Sequence, residues 1–203
     1  MLDHISPLQG VLAPGHMGAN DGQPGIVVEE RPTSNVLQIA AWPETVDQIS
    51  SDLKQSLKLE NDPRPGRAAS NRQVVVFQTA LLKFLVVGDT TDVTSLSGKK
   101  LADKYPSDQA VCLDLSHSRI TLRVSGADVQ AFLNRGISID LDTKTFPVNA
   151  TANTALESVS IIIHHAQDKV YELYIPRAFA HFIWEWMQKT GCQFGLEVRS
   201  SNL

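Results

Sequence analysis

Hydrophobic and polar positions follow two rhythms along this chain, one typical of strands and one typical of helices. Residues 120–124, ITLRV, carry apolar side chains at every second position, as expected for a strand with one buried face. In the following segment Val129, Phe132 and Leu133 recur at helical spacing, and Ser125 stands where a helix is commonly capped. The pattern predicts a strand that leads directly into a short capped helix.

The same order of elements occurs twice. In the first half it is a strand at 36–42, a helix from Pro43, hairpin strands at 74–77 and 83–87, and a weaker helical stretch through Leu96, Leu101 and Tyr105. In the second half it is a strand at 120–124, a helix through Leu133, hairpin strands at 159–163 and 170–175, and a helix from Pro176 to Gln188. The offset of 85 residues is the same for the first strand (122 − 37) and for the hairpin (159 − 74). A constant offset indicates an internal duplication.

We therefore predict an α/β (α+β) fold with two similar βαββα units in tandem, at residues 26–108 and 109–203. Residues 1–25 hold three prolines and five glycines and show no apolar periodicity, so they are expected to form an extended N-terminal arm without a core of its own. A frayed terminus is the preferred interpretation of this arm, and a segment that orders on a partner is the alternative.

Composition and charge restrict the possible partners. The 203 residues include 42% hydrophobic side chains, which is enough to fill a core. Because 18 basic and 22 acidic residues are spread along the chain without a basic stripe, neither nucleic acid nor an anionic membrane is an expected partner. The longest apolar stretch, 79–87, is shorter than the roughly 18 residues of a membrane-spanning helix, and no secretory signal is visible. Cys112 and Cys192 lack a CxxC spacing, so we expect reduced thiols and a soluble cytoplasmic protein.

One short segment, DLSH, offers the residue types of a catalytic triad. Asp114, Ser116 and His117 stand within four positions, but alternate side chains of an extended segment point to opposite faces. We interpret the segment as a polar bend between two strands. The same divergence argues against a metal pair at His164 and His165.

Nucleotide-binding glycine motifs are also missing from the sequence. Neither GxGxxG nor GxxxxGK[ST] occurs anywhere in the chain. We predict no catalytic, cofactor-binding or metal-ligating residue in this chain.

The segment 176–189, PRAFAHFIWEWMQK, carries more apolar surface than one sheet can cover. On a helical wheel its apolar arc is about 200° wide, whereas packing on a single sheet needs about 100°. Either the chain's own sheet and arm cover the excess, or another subunit does. The second interpretation predicts a subunit interface at Phe182, Trp184 and Trp186, because aromatic side chains are favoured interface anchors.

With these patterns in place, the chain resembles the gamma-subunit family of heterotetrameric sarcosine oxidase. The resemblance is carried by DLSHSRITLRVSGADVQAFLNRGISIDL and TFPVNATANTALESVSIIIHHAQDKVYELYIPRAFAHFIWEWM, roughly residues 110–190, and by SPLQG at 6–10. The family is similar in turn to the folate-binding fold of the glycine-cleavage T-protein, in which a strand, an SG-x-D helix start and an FL helix body recur. In the first half the chain reads FQTALLKFLVV where the family often has a Gly-Pro-Asp-Glu-Trp-like turn between hairpin strands.

The resemblance implies a function for a complex rather than for this chain alone. Such an oxidase converts sarcosine to glycine with O₂ as acceptor, giving H₂O₂ and formaldehyde or, with tetrahydrofolate, 5,10-methylenetetrahydrofolate. It implies NAD and the folate site in the alpha subunit, FAD and covalent FMN in the beta subunit, zinc in the delta subunit, and no cofactor in the gamma subunit. Two alternatives stay open: a free-standing folate-binding or aminomethyltransferase-like protein, and a generic adaptor or assembly factor.

Overall fold

The computed structural model describes residues 5–18, 23–32, 35–71, 73–88 and 104–200. Its strands are β1 (Gly15–Met17), β2 (Ile26–Glu30), β3 (Asn35–Ala41), β4 (Ala69–Ser70), β5 (Val74–Ala80), β6 (Lys83–Gly88), β7 (Ala110–Asp114), β8 (Arg119–Ser125), β9 (Thr151–Leu156), β10 (Val159–Gln167), β11 (Val170–Pro176) and β12 (Leu196–Arg199). Its helices are α1 (Val46–Leu57), α2 (Val129–Leu133), a 3₁₀ turn (Arg177–Phe179) and α3 (Ala180–Gly191).

The chain divides into two compact units. The central unit is Thr33–His117, and the terminal unit combines Met1–Pro32 with Ser118–Leu203. In the described part of the central unit, the sheet has the order β4-β5-β6-β3-β7, with antiparallel neighbours throughout.

Helix α1 covers one face of the central sheet. Ile49, Leu53 and Leu57 are spaced four residues apart and are buried on one side of the helix, as the periodicity predicts. They pack in a cluster with sheet residues that include Ile39 and Phe84. The helix ends at Lys58, whose left-handed backbone conformation (φ 52°) terminates it. The predicted helical stretch through Leu96 and Leu101 lies outside the described residues.

The sheet of the terminal unit has the order β1-β12-β2-β8-β11-β10-β9 among the described residues. Its neighbours are antiparallel except for the parallel pair β12 and β2. The predicted hairpin is present as β10 and β11, whereas β9 escaped prediction because its sequence, TANTAL, has no apolar alternation. Helices α2 and α3 pack on one face of this sheet through a shared apolar set: Val129, Phe132, Leu133, Ala180, Ile183, Trp184 and Met187.

The boundaries between the units differ from those predicted. Strand β2 lies before the predicted first unit's other strands in sequence, yet it joins the terminal sheet between β12 and β8. Strand β7 pairs with β3 in the central sheet, so the central unit extends to His117 rather than ending at 108. Strand pairing is decided by register between distant segments, which local apolar patterns do not encode.

Two smaller expectations also change. Residues 5–18 of the predicted arm are part of the terminal unit, because β1 pairs with β12 and Leu8 is buried in the core. Leu8 enters the core as a single side chain without a repeating apolar pattern around it, so the sequence pattern did not predict its burial. Ser125 is the last residue of β8 and not a cap, and α2 begins after Asp128 without a side-chain hydrogen bond.

Candidate functional site

Asp114 and Ser116 form a turn after β7. The Ser116 hydroxyl donates to Asp114 Oδ1 at 2.6 Å, and the Ser116 backbone N–H donates to the same oxygen at 2.9 Å. The hydroxyl oxygen in turn accepts from the Val36 N–H at 3.1 Å. Ser116 is buried while His117 is exposed. The predicted polar bend is confirmed: the serine and the aspartate are engaged in closing the turn beside β3.

The ring of His165 packs against two aromatic side chains. Its ring stacks on Tyr171 with centroids 4.5 Å apart and an interplanar angle of 11°, and it lies parallel to Phe146 at 6.3 Å. Its Nδ1 is 2.8 Å from the Phe146 carbonyl oxygen. Because a carbonyl only accepts, Nδ1 carries a proton here.

His164 points away from His165, as expected of strand neighbours. It lies 3.8 Å from Glu172 Oε2 through its Nδ1, whereas His165 stacks on Tyr171. Within the ranges that the structure describes, no group of three or more His, Cys, Asp or Glu side chains is arranged to hold a metal ion.

A row of three charged side chains and one histidine crosses the middle of the terminal sheet. Glu29 lies opposite Arg123, Arg123 opposite Glu172, and Glu172 opposite His164 in the registers of β2, β8, β11 and β10. Arg123 Nη2 donates to Glu172 Oε1 at 2.6 Å, and the hydroxyl of Tyr174 donates to Glu172 Oε2 at 2.9 Å. Strands β2, β8 and β11 therefore present alternating charges at one level of the sheet.

The row keeps Glu172 ionised. Burial alone would raise the pKa of its carboxyl, but interactions with His164, Arg123 and Tyr174 outweigh burial and lower this pKa from 4.5 to about 2. A carboxylate with so low a pKa and both oxygens engaged is a poor general base. The arrangement fixes strand register, since a slip of one residue would move each charge to the opposite face.

Sequence reasoning missed this row. The alternation of ITLRV indicates one buried face and leaves Arg123 on the other face. On that other face, however, the side chains of Glu172 and His164 are largely buried. The available signal was a single charge in the middle of each apolar strand, ITLRV and VYELYI, with opposite signs.

The aromatic residues of the last helix divide between core and surface. Trp184 is 1% exposed and belongs to the core of the terminal unit, so it is removed from the predicted interface set. Trp186 is partly buried and packs on Phe132 with ring centroids 5.1 Å apart. Phe182 is 46% exposed, and Phe179, one turn earlier, is 48% exposed. The wide apolar arc is therefore covered on the Trp184 side and open at the two phenylalanines.

The helices in the described ranges fall short of the length and apolarity that a membrane span requires.

No curated protein matches the sequence. The model of the sarcosine oxidase, gamma subunit family matches residues 83–193, which is more than half of the chain. The chain belongs to this family. The resemblance seen over residues 110–190 is thereby confirmed.

Solved structures similar to this gamma-subunit family member show the same fold. A chain of heterotetrameric sarcosine oxidase from Corynebacterium sp. U-96, in complex with pyrrole 2-carboxylate, matches with a TM-score of 0.76 and 17% identity, covering 88% of both chains. Aminomethyltransferase T of the glycine cleavage system from Bartonella henselae matches with a TM-score of 0.57 and 12% identity. That match covers 88% of this chain and 48% of the aminomethyltransferase. The predicted α/β, T-protein-like fold class is confirmed.

Proposed function

We propose that this chain is the gamma subunit of a heterotetrameric sarcosine oxidase and assembles with alpha, beta and delta subunits in the cytoplasm. The observation that carries the proposal is the family match over residues 83–193. The complex would oxidise sarcosine to glycine with O₂, giving H₂O₂ and formaldehyde or, with tetrahydrofolate, 5,10-methylenetetrahydrofolate. Neither nucleic acid nor a membrane is a partner in this proposal.

The proposed role of the chain within the complex is structural. The side chains of residue types that often act in catalysis have structural roles here. Ser116 closes a turn, His165 stacks in the core and Glu172 pairs with Arg123. These engagements support a subunit that supplies no catalytic group. FAD, FMN, NAD, zinc and the tetrahydrofolate site belong to the other subunits in this proposal.

The proposed contact with another subunit includes Phe182. Its side chain is exposed one turn after the exposed Phe179, on a helix whose opposite side is anchored in the core by Ile183 and Met187. A helix anchored in this way presents Phe182 without a large ordering cost, which favours this side chain as an interface anchor. Trp186 would border the contact and Trp184 would take no part in it.

Co-expression with candidate alpha, beta and delta chains tests the proposal. A tag on this chain should retain the three others through size-exclusion chromatography, and the complex should absorb near 450 nm, where oxidised flavins absorb. Sarcosine should then yield H₂O₂. A monodisperse, monomeric chain that retains none of the three would contradict the proposal.

The similarity to aminomethyltransferase T favours one second candidate, a free-standing folate-binding protein. Calorimetry of the isolated chain with tetrahydrofolate distinguishes the two functions. A dissociation constant below about 100 μM, equivalent to roughly −5.5 kcal/mol, would support the folate-binding alternative. Weaker binding together with retention of the partner chains supports the subunit role.

A further inference from the structure

The segment SPLQG, which carries part of the family resemblance, has a specific place in the fold. It begins the strap, defined here as residues 5–18, and its Leu8 is 1% exposed in the core of the terminal unit. The Ser6 hydroxyl oxygen accepts from the Leu8 N–H at 2.9 Å, and the Leu8 carbonyl accepts from the Leu12 N–H at 2.9 Å. These short-range bonds form a turn that points Leu8 inward.

Contacts at both ends of helix α3 hold the strap. Before the helix, the guanidinium of Arg177 donates to the Ile5 carbonyl oxygen. Near its end, Gln188 Nε2 lies 3.7 Å from Met17 Sδ. Gly18 passes so close to the helix terminus that an added Cβ would lie 2.0 Å from the Cys192 carbonyl oxygen. The strap therefore follows the helix and is fixed at either end.

Three elements meet at the first of these ends. The Ser6 hydroxyl donates to Glu30 Oε1 at 2.6 Å, at the end of β2. Arg177 is close enough for its charge to act on the same carboxyl. We call this group of Ser6, Glu30 and Arg177 the latch.

The turn that begins helix α3 depends on such tertiary contacts. Neither the 3₁₀ turn Arg177–Phe179 nor helix α3 has a side-chain cap hydrogen bond at its N-terminus. Helix starts without caps leave N–H groups to be satisfied otherwise and are less stable. The Ser118 carbonyl supplies part of this support by accepting from the Arg177 N–H at 2.9 Å. The strap holds the side chain of the same residue, because the Ile5 carbonyl accepts from the Arg177 guanidinium.

We propose that the strap is a conformational element that opens as one segment when the latch is lost, and that its opening loosens the turn Arg177–Phe179. Leu8 is its deeply buried side chain, while Leu12 and Met17 are partly buried. Its last part, β1, is the edge strand of the terminal sheet and, among the described strands, pairs only with β12, through three residues. A segment held by one short edge pairing and one deeply buried side chain opens at lower free energy than the whole unit. Opening removes the Ile5 carbonyl from Arg177, which transmits the change to the start of helix α3.

Hydrogen exchange of the full chain, read by mass spectrometry, tests this inference. In Leu8→Ala and Ser6→Ala, exchange should accelerate about tenfold in peptides covering 5–18 and also in peptides covering 177–183. Peptides from 35–71 and 73–88 serve as an internal reference and should not change. Val11→Ala is the matched control, because Val11 lies in the same strap with a 42% exposed side chain.

Three results would overturn the proposal. Exchange at 5–18 that matches the wild type in both variants would show that the latch and Leu8 do not hold the strap. Acceleration at 5–18 without any at 177–183 would refute the coupling. Equal acceleration throughout β10 and β11 would mean that the unit opens as a whole; Ser6→Ala, which removes one oxygen atom, guards against simple misfolding of Leu8→Ala.

Discussion

Arg123 and Glu172 lie opposite each other on β8 and β11, with Nη2 and Oε1 2.6 Å apart in the centre of the terminal sheet. The Glu172 side chain is largely buried and that of Arg123 is partly buried. Removing Arg123 would leave the Glu172 carboxylate without its charged partner, which destabilises the folded state. Because of this pair, the free energy of unfolding should depend on pH and on the ionised state of Glu172.

Stability should fall in acid because of Glu172. Its pKa is about 2 in the folded protein against a usual 4.5, so the ionised carboxylate favours the folded state above pH 4.5. This contribution should be lost progressively as the pH falls from 4.5 towards 2. Urea unfolding between pH 2 and pH 7 measures it, and Glu172→Gln should flatten the curve in this window. An unchanged slope in the variant would contradict the assignment.

Ser116→Ala should destabilise the fold without altering the activity of the proposed complex. The variant loses the bonds to Asp114 and Val36, and leaving a buried N–H unsatisfied costs about 1–3 kcal/mol. In the proposed complex, the rate of sarcosine oxidation per complex should equal that of the wild type. Ser107→Ala, at an exposed serine, is the control for stability. A variant that is stable but inactive would restore a catalytic role for the segment DLSH.

Trp184→Ala should lower folding stability, whereas Phe182→Ala should weaken the proposed subunit assembly. The first removes a fully buried side chain and should cost about 3–5 kcal/mol of folding free energy. The molecules that remain folded should bind the proposed partner subunits as the wild type does. The second should leave the melting temperature close to that of the wild type and weaken assembly by about 1–2 kcal/mol. Thermal unfolding and pull-down titration separate the two quantities. Normal assembly by Phe182→Ala would remove this residue from the proposed contact.

Gly126→Ala should be poorly tolerated, because Gly126 lies in the SG-x-D motif at a backbone crossing. Its φ is 129°, and an added Cβ would lie 2.1 Å from the carbonyl oxygen of Gly25, the residue before β2. Backbone cannot yield as a side-chain end can, so we expect a loss of at least about 1–3 kcal/mol in urea unfolding. Gly66→Ala isolates the effect of conformation, since Gly66 has a φ of 77° with open space around it. Similar losses in both variants would show that the contact with Gly25 is unimportant.

Glu30→Gln should keep the strap closed at pH 7. Burial is the largest influence on Glu30 and raises its pKa above 4.5, against the smaller effects of Ser6 and Arg177. A raised pKa means that the closed form favours the protonated carboxyl and becomes less stable as the pH rises through it. Glutamine is neutral and retains an oxygen that accepts from Ser6. Exchange at 5–18 should therefore be no faster than in the wild type, whereas Glu30→Ala should accelerate it.

The sequence by itself determined the local elements. Apolar alternation predicted β8 and the hairpin of β10 and β11, and helical spacing predicted the buried side of α1. These patterns suffice because a strand or a helix brings its own sequence neighbours onto one face. The motifs between 110 and 190 were sufficient to indicate the family.

Only the tertiary structure decided which sheet each strand joins and which aromatic residues are covered. β2 and β7 are paired by register with distant strands, Leu8 enters a core to which its own segment gives no pattern, and Trp184 is buried while Phe182 is exposed. Such outcomes depend on contacts between residues far apart in the chain. Several partners satisfy the same local pattern equally well, and only complementary packing and charge, as between Arg123 and Glu172, distinguish them.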